Sequence, residues 1–218
     1  MLNHGIDGTL AAINFLQSLR DMLAGNAKRS VNVSVKWDGA PAIFAGINPE
    51  NDKFFVGTKG VFNVNPKVNY TDADIDKNHS AAGLNAKLKV ALKHLPKLGI
   101  TDVLQGDMLF TDDDFKTETI DDKSYITFTP NTITYAIPKE SSHKITKAKM
   151  GIVWHTTYSG EKLEDMRASF GANIGGLTKT NDVWFSDANY QDTSGTVNFN
   201  KAETVSYTHL TLPTSDLV

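Results

Sequence analysis

The chain has 218 residues, 40% of them hydrophobic and 22% charged, with a formal net charge of −3 at neutral pH, which suits one sizeable core or two small ones. It contains no cysteine, which excludes disulfides, thiolate catalysis and cysteine-held zinc. No apolar run approaches a membrane span and the start does not read as a secretory leader, so a cytoplasmic protein is expected; the slightly acidic balance confines any nucleic-acid surface to a local patch.

The first predicted element is a helix from Asp7, as N-cap, to Ala24, with Gly25 as its stop; Ile13, Leu16, Leu19, Met22 and Leu23 form the stripe it should bury. Residues 31–47 and 53–58 read as strands. Val31-Asn32-Val33-Ser34-Val35 alternates apolar and polar, and Ala42-Ile43-Phe44-Ala45 is a second apolar run. At the end of the first run stands Lys36-Trp37-Asp38-Gly39, one amine, one carboxylate and a glycine at K-x-D-G spacing. A strand end would fix the amine against a pocket floor, Gly39 would let the backbone turn closely past a ligand, and Pro41 would hold the exit rigid. A lysine attacks only when uncharged, so it needs desolvation or a neighbouring cation. Lys59, in Gly57-Thr58-Lys59-Gly60, is the nearby candidate, and it is suited to phosphate oxygens. By itself the tetrad more often marks a solvated strand-end lysine beside an ordinary Asp-Gly turn. Residues 57–60 lack the spacing and the helix start of a P-loop.

A second helix is expected at 81–95, with Leu84, Leu88, Leu92 and Leu95 on one face and Lys87, Lys89, Lys93 and Lys97 around the rest as a solvated surface. From residue 101 onward the pattern is mostly strand. Residues 103–110 form an apolar strand carrying Gly106-Asp107. Asp112-Asp113-Asp114 and Asp121-Asp122 have the chemistry to hold Mg²⁺ but read as solvated loop acids. A hairpin is expected from 125–129 and 133–137 around Pro130-Asn131. Residues 139–149 read as a basic connector, 150–155 as an apolar strand ending in Trp154-His155, 161–170 as a helix and 183–185 as the start of a strand. The six histidines show no metal-ligand spacing, and His155 is the one that warrants a test. The fold class is therefore α+β, mainly antiparallel sheets with flanking helices, in one domain.

This order of segments resembles the covalent nucleotidyltransferase superfamily of ATP-dependent DNA ligases, RNA ligases and capping enzymes, over about residues 31 to 160. Lys36 to Gly39 match the first motif of that family in full, Lys59-Gly60 and Gly106-Asp107 match later motifs loosely, and 151–154 is similar to the strand whose aromatic ring stacks on the purine. The resemblance implies a ligase-type adenylation fold in which Lys36 forms the phosphoramide with AMP and Asp38 orients nucleotide or metal. It further implies that Gly39, Lys59, Asp107 and Trp154 bind the nucleotide, that ATP and Mg²⁺ are the cofactors, and that 5′-phosphate ends of RNA or DNA are the partners. The chain departs from the family in having Ala40-Pro41 where many DNA ligases carry an arginine, in the acid of Asp107 being one methylene short, and in lacking a legible later lysine pair. Those departures leave an alternative, a non-catalytic nucleotide- or nucleic-acid-binding module of phage origin that keeps a degenerate form of the fold. Residues 205–214 read as one frame of a sequencing adapter, so 1–204 is expected to be a single, incomplete domain and 205–218 an adapter-derived tail.

Overall fold

A computed structural model describes residues 5–24 and 36–188. They belong to two units, one holding α1 (Gly5–Leu23) and the other residues 36–188. Helix α1 starts before Asp7, so Asp7 lies inside it rather than capping it. Ile13 is exposed together with Ile6, Leu10 and Phe15, while Leu16 and Leu19 are half-buried. The expected buried stripe therefore fails at Ile13, because the helix carries apolar side chains on more than one face. Gly25, the side chains of Met22 and Leu23, the strand expected at 31–35 and the segment 205–218 lie outside the described residues.

The second unit is built on a six-stranded sheet. Strands β1 (Ala42–Asn48) and β2 (Lys53–Gly57) form a hairpin, and β3 (Val103–Thr111) pairs antiparallel with β1. The long β7 (Met150–Ser159) pairs antiparallel with β3. The far edge of β7 is shared by β8 (Arg167–Phe170), antiparallel, and β9 (Val183–Asp187), parallel, giving the order β2-β1-β3-β7-β8 with β9 beside β7. A separate three-stranded antiparallel sheet consists of β4 (Lys116–Ile120), β5 (Lys123–Phe128) and β6 (Tyr135–Pro138). With α2 (Asp72–Asn78) and α3 (Ala82–His94), this is the expected α+β class with mainly antiparallel sheets; the parallel β9 is the exception.

Local chemistry explains most of these boundaries. Thr71 and Asp74 form a reciprocal capping box that starts α2. Helix α3 buries Leu88 and Ala91, with Leu95 just beyond its end, against Ile43, Leu104, Ile152 and Trp154 of the sheet. The opposite face meets the small sheet through Leu109, Phe110, Phe128 and Val153. Across β3 and β7, Gly106 stands opposite Trp154 and Phe110 opposite Gly151. Each glycine makes room for a ring: a Cβ on Gly106 would lie 2.8 Å from the Trp154 ring, and one on Gly151 would overlap the Phe110 ring. Glycine inside a strand here marks a close approach of packed groups.

Two further segments differ from the sequence reading. Residues 161–170 are not helical; a 3-10 turn at Leu163–Asp165 leads into β8, whose Ser169, Ala168 and Arg167 pair with Thr157, Tyr158 and Ser159. An open edge of β7 outweighs a helical propensity that is weak over so few residues. Strand β4 was not anticipated. It joins β5 through Asp121 and Asp122, which adopt φ of 47° and 60°, the left-handed pair that a tight hairpin turn requires and that aspartate tolerates. These acids are turn residues.

Candidate functional site

Residues 36–41 form no regular strand but a strap laid along β3. The Ala40 N–H donates to the Met108 carbonyl at 2.9 Å, and the Met108 N–H donates to the Pro41 carbonyl at 3.0 Å. Gly39 permits this contact, since a Cβ there would stand 2.7 Å from the Asp107 Cβ and 2.9 Å from the Met108 oxygen. The Ala40–Pro41 peptide is cis. Lys87 of α3 donates to the Ala40 carbonyl at 3.4 Å and pairs with Asp114 at 3.5 Å, so this lysine is a clasp on the strap and not part of a purely solvated face.

Asp38 is fully committed within the protein. Its carboxylate accepts from Asn131 Nδ2 at 2.8 Å, from the Thr132 N–H at 2.7 Å and from the Ile133 N–H at 2.6 Å. Its own N–H donates to the Tyr135 hydroxyl at 2.9 Å. The Asn131 hydrogen bond, followed by those from Ile133 and Thr132, holds the carboxyl below the usual range, with Lys36 adding a smaller pull. In the described residues Asp38 ties the strap to the β5–β6 connection and so fixes where Lys36 begins.

Lys36 lines a cavity of about 350 Å³ together with Trp37, Gln105, Asp107, Val153, His155, Phe170 and Ala188. Strand periodicity assembles the floor: Asp107 and Val153 are direct partners across β3 and β7, and Gln105 lies on the Asp107 face by alternation. The register then skips from Gly106↔Trp154 to Gln105↔Thr156. His155 is thus the extra residue of a β-bulge, a device that re-aims a side chain. Its Nε2 stands 3.9 Å from Asp107 Oδ2, with the two side chains 25% and 19% exposed. Burial pushes the Asp107 carboxyl above its ordinary range, while His155 and then Lys36 pull it back and Asp38 raises it slightly. Gln105 Oε1 accepts from the Tyr158 hydroxyl at 2.9 Å. Trp37 is backed by a ladder of rings, stacked on Tyr135 at 5.7 Å, which stacks on Phe128 at 5.3 Å.

Of the residues singled out from sequence, Lys36, Asp107 and His155 meet here, and Gly39 supports them from behind. Trp154 does not join them. It pairs with Gly106, projects to the face covered by α3 and is 0% exposed within the main core. Its Nε1 has no hydrogen-bond partner among the described residues. Adjacent strand residues face opposite sides, so a pocket that takes Val153 and His155 excludes Trp154. Lys59 is exposed on the 3-10 turn Lys59–Phe62 and is not among the residues lining the cavity. Lys36 itself is exposed, so the dryness expected around it is not supplied by the described residues. Sequence reading missed Trp37 and Gln105, although Gln105 was available from its two-residue spacing to Asp107.

Among the described residues no three or more His, Asp or Glu side chains gather into a group able to hold a metal ion. Asp114 accepts from the Thr111 N–H at 2.7 Å and Asp112 pairs with Lys149, which accounts for two of the three loop acids by local roles. No described helix is long and apolar enough to cross a membrane.

Fold and site together define an α+β protein with a cavity lined by lysine, carboxylate and imidazole on a mainly antiparallel sheet. The chain belongs to DUF6267, a family of unknown function that matches residues 1–215. No curated protein and no solved structure matched the chain.

Proposed function

We propose that the chain is a ligase-like nucleotidyltransferase that captures AMP from ATP on Lys36 and passes it to a 5′-phosphate end of RNA or DNA. The observation that carries this reading is the meeting of Lys36 with Asp107 and His155 in one concavity whose wall includes the ring of Trp37. Lys36 Nζ attacks the α-phosphorus; the N–P bond forms, the bond to the departing pyrophosphate breaks, and the lysine sheds a proton. Asp107 feels the charge of Lys36, and burial has raised its affinity for a proton, so it is suited to receive that proton. A bound triphosphate would cover the exposed amine and supply the exclusion of water that the protein alone does not. Trp37, rigid on its stacked neighbours, offers the base a face, a role that buried Trp154 does not fill. Most of the acceleration would come from positioning and charge stabilisation.

The experiment is incubation with α-labelled ATP and Mg²⁺. An acid-labile labelled adduct that Lys36→Ala abolishes is the expected result, and absence of label on folded protein would end the covalent reading. A second reading, nucleotide binding without turnover, is favoured by the exposure of Lys36 and the commitment of Asp38 to residues 131–133. It predicts a thermal shift with ATP and no adduct.

A further inference from the structure

We infer that a second cleft, between residues 143–148 and 179–185, binds the backbone of a single-stranded polynucleotide and leads it along β9 to the Lys36 cavity. The cleft has a volume of about 490 Å³, and its walls carry His143, Lys144, Lys147, Lys179, Trp184 and Phe185.

Charge is the first argument. Lys87, Lys89, Lys97 and Lys149 each pair with a carboxylate. Lys144, Lys147 and Lys179 have no ion-pair partner among the described residues. Of the acids nearby, Asp182 is paired with Lys97 and His94, and Asp112 with Lys149. A chain of net charge −3 thus concentrates uncompensated positive charge in one concavity, the local patch that polyanion binding demands.

Shape is the second. Trp184 packs in the same apolar cluster as Val153, Trp37 and Ala188, and those three line the Lys36 cavity. Trp184 and Ser186 share a face of β9 by alternation, and Ala188 follows directly after the strand. At about 3.3 Å per residue, the path from Val183 to Ala188 spans roughly 17 Å, the reach of a few nucleotides. Lysines tracking a backbone beside half-buried rings are the means by which single strands are held without sequence preference. A small free anion would use neither the rings nor the path. The inference does not depend on covalent chemistry at Lys36.

The test is fluorescence anisotropy of labelled oligouridylate and oligothymidylate of about 12 nucleotides, without ATP, on the full chain. Combined Lys144→Ala, Lys147→Ala and Lys179→Ala should weaken binding at least tenfold and flatten the log–log salt dependence by about 2, at roughly 0.7 per lost phosphate contact. A matched variant, Lys116→Ala with Lys123→Ala on the β4–β5 hairpin and Lys162→Ala, should leave both quantities unchanged. Circular dichroism and the labelling reaction with ATP provide the folding control: the triple variant should still form adduct. Equal weakening by both variants, or none by the triple variant, would overturn the inference. Binding that follows this pattern in a protein that never labels would remove the covalent reading and leave this one standing.

Discussion

Single side chains divide the site into parts that face the cavity and parts that hold it. Trp37 and Trp154 sit on opposite sides of that division, one lining the cavity and the other sealed in the core. Trp37→Ala should therefore weaken ATP binding at least tenfold, while Trp154→Phe should leave it intact, as isothermal titration would show. Trp154→Phe should also cost less stability than most core truncations, because it removes a buried N–H that has no described partner and whose burial costs about 1–3 kcal/mol. Asp38 makes a different prediction. A carboxyl held below its usual range favours the folded state once ionised, so its contribution is present above the unfolded value near ~3.9 and is lost as pH falls through the lower folded value. Denaturation of wild type and Asp38→Asn should differ by a constant amount above about pH 5 and converge in stronger acid; a gap that persists at the acid end would show that the hydrogen bonds to residues 131–133 are not the cause.

At the level of elements, the β3–β7 pair sets the site, and much of it was legible. Apolar runs placed β1, β3, β7 and β9, the leucine spacing placed α3, and Pro130-Asn131 placed the β5–β6 hairpin. What could not be read was the pairing: that β7 would carry both β8 and β9 on one edge, that a bulge would fall at His155, and that Gly106 would stand opposite Trp154 and leave room for its ring in the core. Those outcomes depend on long-range register, which a local pattern does not contain. Lys36 and Asp107 were legible as chemistry; their proximity is a product of the strap, which only Gly39 admits. The two glycines give a common test. Gly39→Ala and Gly106→Ala each force a Cβ within 3 Å of backbone or ring, and each should destabilise by about 1–3 kcal/mol. Gly176→Ala, where nothing lies within 4 Å, should change stability far less. Similar urea midpoints for all three would mean that the strands yield to the added methyl.

On the scale of the whole molecule, two concavities lie along the large sheet, a cavity lined by Lys36, Asp107 and His155 and a lysine-lined cleft at the start of β9. With a slight negative charge on the chain, the proposed association with nucleic acid is expected to be local and salt-dependent instead of general. Membership of DUF6267 carries no activity with it, so the chemistry of the amine has to be measured. The most direct measurement is the intact mass of the protein after incubation with ATP and Mg²⁺, followed by peptide mapping of the modified residue. An increment of one AMP, located on Lys36, released by acid and absent from Lys36→Ala, is expected. An unchanged mass in folded protein that binds ATP, or an adduct on any other residue, would contradict it.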